Sequence, residues 1–202
     1  MSKSNFEERI VKQLERDIVQ KYILLLLSSD NNEMIKGKTK LMKELFFIAQ
    51  NIPVLEEEAD FEADNYGPSS DVVVSDLEKL DVLRLIDGRN DNYVLTELGK
   101  KIAQKILSTA DKKELDVIAD MKKLFKDLSY DEALGLVYFS YPEMTEKSLV
   151  KNDIEKKREK IALSLLKKGK VSIGKAAEIA GMSMSSFYNK LKKEGIKIEI
   201  GY

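Results

Sequence analysis

The stretch that most constrains the fold is 173–193, which has the pattern of two short amphipathic helices joined by a tight turn. Gly181 is predicted to end the first helix, because glycine takes the left-handed conformation that terminates helices at little cost. Ser183 can cap the second helix through its hydroxyl oxygen. Each helix has an apolar face, made of Ala176, Ala177 and Ala180 in the first and of Phe187 and Leu191 in the second. The pattern predicts a helix-turn-helix.

The outward face predicted for these helices is polar and cationic, which suits a helix that enters the major groove of double-stranded DNA. Serine, tyrosine and asparagine side chains are predicted to face base edges, and lysines to contact phosphates. The predicted DNA-binding residues are Lys175, Ser183, Ser185, Tyr188, Asn189, Lys190, Lys192 and Lys193. Lys190 is irregular, because helix-turn-helix units often have an apolar residue near that position.

The net charge of −1 conceals an asymmetry between the two ends of the chain. Residues 151–202 contain 13 basic and 6 acidic residues, a net charge of +7, whereas 1–150 contain 21 basic and 29 acidic residues, a net charge of −8. A basic end on an acidic body favours a polyanionic partner at that end. A lysine-rich surface can serve solubility alone, but here the basic segment coincides with the predicted helix-turn-helix.

Residues 1–108 show the order helix, helix, helix, hairpin, helix, which is typical of a winged-helix module followed by one more helix. Two β-prone runs within 82–96 flank a turn rich in Gly, Asn and Asp, and Thr96 can cap the next helix. With 15 basic and 20 acidic residues, 1–108 has a net charge of −5. An acidic surface repels phosphates. We therefore expect this module to be a protein-binding or dimerisation platform.

A strongly acidic run at 56–64 lies inside this module. Two interpretations stay open: a solvated loop, or an electrostatic docking surface for a basic partner protein. On the second interpretation, the protein-interaction residues are Glu57, Asp60, Phe61 and Tyr66.

The predicted fold class is mostly α with a small β-hairpin wing. The chain is expected to divide into a winged-helix-like domain at 1–108, a helical extension packed on it at 109–145, a long connector helix at 146–169, and the helix-turn-helix with a C-terminal strand at 170–202. The middle of the connector is almost wholly charged, which suits a solvated helix.

Two local patterns support this division. Ser129 and Glu132 fit a capping box that opens a helix within the extension, and Thr145 is predicted to cap the connector helix. The C-terminal strand alternates apolar and polar residues, and its apolar positions are Ile196, Ile198 and Ile200. Because an edge strand needs a partner, we expect it to pair with its own copy in a homodimer.

Composition argues against several functional classes. The chain has no Cys and no His, so it lacks thiolate metal ligands and the commonest general base. No nucleophile–base arrangement stands out, and we expect no enzyme, cofactor, metal or small-molecule substrate. The longest apolar run, 22–27, is too short to span a bilayer, and 1–16 lack a signal-peptide pattern. The expected location is the cytoplasm, with no membrane partner.

Several short stretches resemble known families. Residues 170–183, together with Gly195-Ile196, resemble a family of small predicted archaeal and bacterial antitoxins with a helix-turn-helix. Residues 38–47, 66–70, 93–96 and 138–143 resemble the Panacea, or SocA-like, antitoxin domain. Both resemblances imply a protein that neutralises a toxin by direct contact and represses its operon through a DNA-binding end.

Two hypotheses remain for the function. The leading one is a dimeric, antitoxin-like DNA-binding transcriptional regulator, with DNA on the C-terminal helix-turn-helix and a partner protein on the acidic N-terminal domain. The alternative is a protein-interaction adaptor that holds a toxin or another protein and binds no DNA.

Overall fold

The computed structural model describes the backbone of residues 3–196 and the side chains of residues 6–196. Its helices are α1 (Lys3–Leu14), α2 (Ile18–Asn32), α3 (Lys38–Ala49), α4 (Pro53–Ala59), α5 (Asp71–Val82), α6 (Glu97–Leu107), α7 (Lys112–Phe125), α8 (Tyr130–Ser140), α9 (Lys151–Lys156), α10 (Arg158–Lys167), α11 (Ile173–Ala180) and α12 (Met184–Lys193). The strands are β1 (Ile35–Lys36), β2 (Glu62–Asp64), β3 (Gly67–Ser69), β4 (Ile86–Asp87) and β5 (Asn92–Leu95), and 3₁₀ turns cover Arg89–Asp91 and Pro142–Thr145. The prediction of a mostly α chain with a small β wing is confirmed.

The N-terminal half has winged-helix topology. α2, β1 and α3 are followed by α5, β4 and β5, and the three strands form a sheet in the order β1-β5-β4. β5 is antiparallel to both neighbours and places Tyr93 opposite Ile35. Thr96 caps α6 as predicted, because its hydroxyl accepts a hydrogen bond from the Gly99 N–H at 3.0 Å.

An insertion between α3 and α5 contains the acidic run. Residues 56–59 belong to α4, and β2 pairs with β3 as a small antiparallel hairpin. The expectation of one solvated loop over 56–64 is therefore wrong, since most of the run has regular structure. Ser70 fixes the end of the insertion: its hydroxyl donates to the Ala59 carbonyl and accepts from the Val73 N–H at 3.0 Å.

Two hydrophobic cores hold the described residues together. The first surrounds α2, whose buried run Tyr22–Leu27 packs among α3, α5, α6 and α7. The second joins α8, α10, α11 and α12, and it also includes Phe46 and Phe47 of α3 and Phe125 of α7. α3 therefore contributes to both cores. None of the helices described here has the length and hydrophobicity that crossing a membrane requires.

α8 begins with the predicted capping box. The Glu132 N–H donates to the Ser129 hydroxyl at 3.3 Å, and the Ser129 N–H donates to the Glu132 carboxylate at 2.6 Å. The same carboxylate accepts from Ser164 at 2.5 Å and from Lys168 at 2.7 Å. Although burial alone would raise it, the pKa of Glu132 is lowered to about 2 by these hydrogen bonds. The box therefore also fixes α8 to α10.

The prediction of one long connector helix over 146–169 is wrong. α9 and α10 are separate helices with a break at Lys157, and the Thr145 hydroxyl donates to the Pro142 carbonyl at 2.6 Å and caps no connector helix. Ile154 and Ile161 are buried in the second core. A high density of charge hid this amphipathic pattern, because lysines and glutamates cover only the solvent side.

Candidate nucleic-acid interface

α11 and the turn after it match the sequence-based prediction. The Ser172 hydroxyl accepts from the Lys175 N–H at 3.2 Å and so caps the start of α11. The alanines of its inner face are buried: Ala176, Ala177 and Ala180. Gly181 follows with φ of +68°, in the left-handed region that favours glycine.

Arg158 of α10 fastens this turn, a role that the sequence did not suggest. Its guanidinium donates to the Ile179 carbonyl, and to the Glu178 carbonyl at 2.9 Å. The group lies 4.7 Å from the centre of the Phe139 ring, in cation–π geometry. A Cβ on Gly181 would come within 3.0 Å of the same guanidinium. Arg158 thus occupies the carbonyl end of α11 and requires a small residue at the turn.

α12 is anchored by two apolar side chains. Phe187 is fully buried and Leu191 is 1% exposed, and both belong to the second core. The Ser183 hydroxyl accepts from the Ser186 N–H at 3.2 Å, which confirms Ser183 as the N-cap. Burial of a phenylalanine side chain contributes several kcal/mol to folding, so the orientation of α12 follows from the core.

The opposite side of α12 presents polar and cationic groups to solvent. Ser185, Asn189, Lys192 and Lys193 are all exposed, and at 3.6 residues per turn they fall on one side of the helix. We call these four residues the outer face. Ser186 is also exposed beside them and was missed by the sequence analysis. α12 contains no acidic residue, so no carboxylate on this helix opposes an anionic ligand.

Lys190 lies away from the outer face, unlike Lys192 and Lys193, the other lysines of α12 that are predicted to contact phosphates. Its ammonium pairs with Glu159 of α10 and lies 3.7 Å from Glu194. The hydrogen bond to Glu159 is the main reason that the pKa of Lys190 is raised. This ion pair links α12 to α10 at the position where an apolar residue was expected.

Three other predicted residues are placed at the margin of the interface. Lys175 pairs with Glu178 at 2.8 Å on the surface of α11. The Ser183 hydroxyl is engaged as the N-cap, and Tyr188 is half-buried at the side of α12. Asn189 is therefore the predicted base-reading side chain that stands most directly on the outer face, together with Ser185.

The predicted dimerisation strand falls largely outside the described residues, which leaves Ile198 and Ile200 without a description. Ile196 is described, and its half-buried side chain packs against the second core of its own chain. Its N–H donates to the Leu191 carbonyl at 3.0 Å. Ile196 thus contacts its own chain, which differs from the expected role in pairing two subunits.

The predicted protein-interaction residues separate into two kinds. Glu57 and Asp60 are exposed, and Tyr66 is 46% exposed. Phe61 is half-buried, with its ring edge-on to Phe46 at a centroid distance of 5.3 Å, so it is a packing residue and not an available contact.

α5 occupies the position of the third helix of the winged module, the usual DNA-reading helix of that fold. Its exposed residues include Asp71, Glu78 and Asp81, together with Val82, which is 81% exposed. Lys79 is exposed as well but pairs with Asp76 at 2.8 Å, and the other exposed charges of α5 are carboxylates, which disfavour phosphate contacts. That the winged module binds a protein and not DNA stays a prediction.

Two charged residues of α3 are buried and titrate near neutral pH. The Lys43 ammonium donates to the Pro68 carbonyl at 2.7 Å, and burial lowers its pKa to about 7. Burial likewise raises the pKa of Glu44 to about 7, and one of its carboxyl oxygens has no hydrogen-bond partner among the described residues. Lys43 ties the inserted hairpin to α3, which gives it a structural role.

Comparison with known proteins adds one finding. The model of an uncharacterised protein family, UPF0175, matches residues 137–201. The matched stretch begins within α8 and contains α9 to α12, so it includes the outer face and lies outside the winged module. No curated protein and no solved structure matches the chain.

Proposed function

We propose that this chain is an antitoxin-like DNA-binding transcriptional regulator. Double-stranded DNA binds the outer face of α12, and a partner protein binds the acidic N-terminal domain. In this proposal two copies act together, because a single α12 contacts only one short stretch of major groove.

The composition of the outer face carries the DNA part of the proposal. Lys192 and Lys193 supply positive charge for phosphates, and Ser185 and Asn189 supply hydrogen bonds for base edges. α12 has no acidic residue that would oppose the approach of a polyanion. The apolar anchors and the Arg158 clamp hold this face in a fixed orientation, which limits the entropy lost on binding.

The partner part rests on the charge of the N-terminal domain and on sequence resemblance. Glu57, Glu58 and Asp60 are exposed and form no ion pair with any residue that the structure describes. Such a surface attracts a basic protein. The resemblance of 170–183 to small antitoxins favours a toxin as that partner; the family matched over 137–201 is itself uncharacterised.

A gel-shift titration of the full chain on its own upstream DNA tests the proposal. Lys192→Glu/Lys193→Glu is expected to weaken binding by at least about tenfold, since it replaces two phosphate contacts with repulsion. The matched control is Lys112→Glu/Lys113→Glu, which makes the same charge change at the exposed start of α7. If both double variants bind equally well, or if the wild type shows no shift, the DNA proposal fails.

The adaptor function remains the second candidate, favoured by the exposed carboxylates on α4 and α5. It predicts that the full chain forms a stable complex with a basic partner protein while showing no shift of any upstream DNA. A small toxin-like protein encoded beside this chain is the partner to purify with it. Complex formation that survives Lys192→Glu/Lys193→Glu, without DNA binding by the wild type, would establish the adaptor.

A further inference from the structure

Three exposed apolar side chains from distant parts of the sequence meet near the tip of the β2–β3 hairpin. Tyr66, Tyr130 and Leu149 are 46%, 51% and 73% exposed. The Leu149 N–H donates to the Asn65 carbonyl at 3.0 Å, which places Leu149 beside the hairpin. Tyr130, the first residue of α8, is near enough to Tyr66 for their phenol groups to interact electrostatically. We call Tyr66, Tyr130 and Leu149 the Tyr–Leu patch.

The backbone beneath the patch is firmly held. The Tyr138 hydroxyl and the Ser148 hydroxyl are hydrogen-bonded at 2.6 Å, and Ser148 also donates to the Asn65 carbonyl at 3.3 Å. A Cβ on Gly67 would lie 2.8 Å from the Tyr138 ring, so the hairpin and α8 are in close contact. A surface held in this way loses little conformational freedom when a partner binds.

Negative charge surrounds the patch. Glu62 and Asp64 of β2 are exposed, and β2 lies against the 142–145 turn, where Glu143 and then Glu146 are exposed too. None of these four carboxylates forms an ion pair with a described residue. Lys147 is the exposed cation in the same loop. The net charge around the Tyr–Leu patch is therefore negative, and a nucleic acid would be repelled.

We infer that the Tyr–Leu patch binds a protein segment in which apolar side chains are flanked by lysines or arginines. Tyrosine and leucine at the centre would supply the apolar contact, and the surrounding carboxylates would select a basic partner and speed its association. The inference rests on the partner part of the proposed function and makes it specific. Among the apolar residues predicted to contact a partner, Tyr130 and Leu149 take the place of Phe61, whose ring packs against Phe46.

The test uses the full chain and two synthetic amphipathic helical peptides with the same leucine positions, one carrying lysines and the other glutamates. Backbone amide NMR titration with the lysine peptide is expected to shift signals at 62–67, 130–131 and 143–149. Leu149→Ser is expected to lower the affinity of the protein for the lysine peptide by roughly tenfold. Val82→Ser is the matched control, because Val82 is 81% exposed on α5, outside the patch.

Several results would overturn the inference. Equal binding by Leu149→Ser and wild type, shifts confined to other surfaces, or preference for the glutamate peptide would each do so. Sedimentation would also overturn it if Leu149→Ser converted a dimer into a monomer, because the patch would then be covered by a second copy. Gel shift on the same samples separates the two proposals: loss of DNA binding alone would leave this inference standing, and loss of peptide binding alone would leave the DNA part.

Discussion

Replacement of the buried Glu44 carboxyl by an amide should make the protein more stable at alkaline pH. Glu44 is 1% exposed on α3, and burial raises its pKa from 4.5 to about 7. A carboxyl whose folded pKa is raised binds its proton more tightly in the folded state. Stability is therefore greatest below the unfolded pKa and is lost as the pH rises through about 7. Glu44→Gln removes this dependence because the amide does not titrate.

The magnitude follows from the difference between the two pKa values. One pKa unit corresponds to about 1.4 kcal/mol, so the full loss is about 3 kcal/mol once Glu44 is ionised in the folded state. Of this, about 2 kcal/mol falls between roughly pH 5.5 and 8.5 by the same relation. The chain has no histidine, so no imidazole titrates in this pH window. Lys43, whose pKa is about 7, contributes the same pH dependence to the stability of wild type and of Glu44→Gln.

Urea denaturation of wild type and Glu44→Gln at both ends of this window measures the effect. The difference in unfolding free energy between the two proteins should shift by about 2 kcal/mol in favour of Glu44→Gln at the higher pH. Glu58→Gln is the control, because Glu58 is exposed, and its difference should stay constant. A difference for Glu44→Gln that is independent of pH would refute the assignment of Glu44 as a carboxyl held in an apolar site.

Three further predictions concern the elements that position the outer face. Gly181→Ala should destabilise the protein by about 1–2 kcal/mol, because φ at Gly181 is +68° and an added Cβ would meet Arg158. Gly174→Ala, within α11, is the control and should stabilise the protein by up to about 1 kcal/mol, because alanine favours a helix more than glycine does. Thermal unfolding measures both changes. Arg158→Met should lower the unfolding free energy measured in urea by about 1–3 kcal/mol, because the Ile179 and Glu178 carbonyls lose their hydrogen-bond donor. An unchanged unfolding free energy would contradict the role of Arg158 in holding this turn. Glu132, with a pKa lowered to about 2, stabilises the fold above pH 4.5, so wild type should lose more stability than Glu132→Gln as the pH falls from 4.5 to 2. Equal losses of unfolding free energy in the two proteins would contradict this role.

Local patterns in the sequence predicted much of the fold. Gly181, Ser183 and the Ser129–Glu132 capping box were identifiable because each satisfies backbone groups within four residues. The wing was identifiable from the turn between its strands. The connector was predicted as one solvated helix because the charged run 152–160 gave no sign of the break at Lys157 or of the burial of Ile154.

The parts that could not be predicted depend on contacts between distant residues. Arg158 reaches carbonyls about twenty positions further along the chain. Lys190 is paired with Glu159, and the Tyr–Leu patch joins three separate segments. Helical periodicity assigns a residue to a face, but it does not say which neighbouring helix that face meets. Lys190 was therefore assigned to DNA contact when its side of α12 lies against α10.

The salt dependence of DNA binding tests the central claim most directly. Fluorescence anisotropy gives the affinity of the full chain for its upstream DNA over a range of salt concentrations, for wild type, Lys192→Gln/Lys193→Gln and the control Lys112→Gln/Lys113→Gln. Each phosphate contact contributes about 0.9 to the slope of log affinity against log salt. Because each of the two bound copies loses two phosphate contacts, the α12 variant should reduce the slope by about 3.6, and the control should leave it unchanged. A slope equal to that of wild type, or no binding by wild type, would contradict DNA recognition by the outer face of α12.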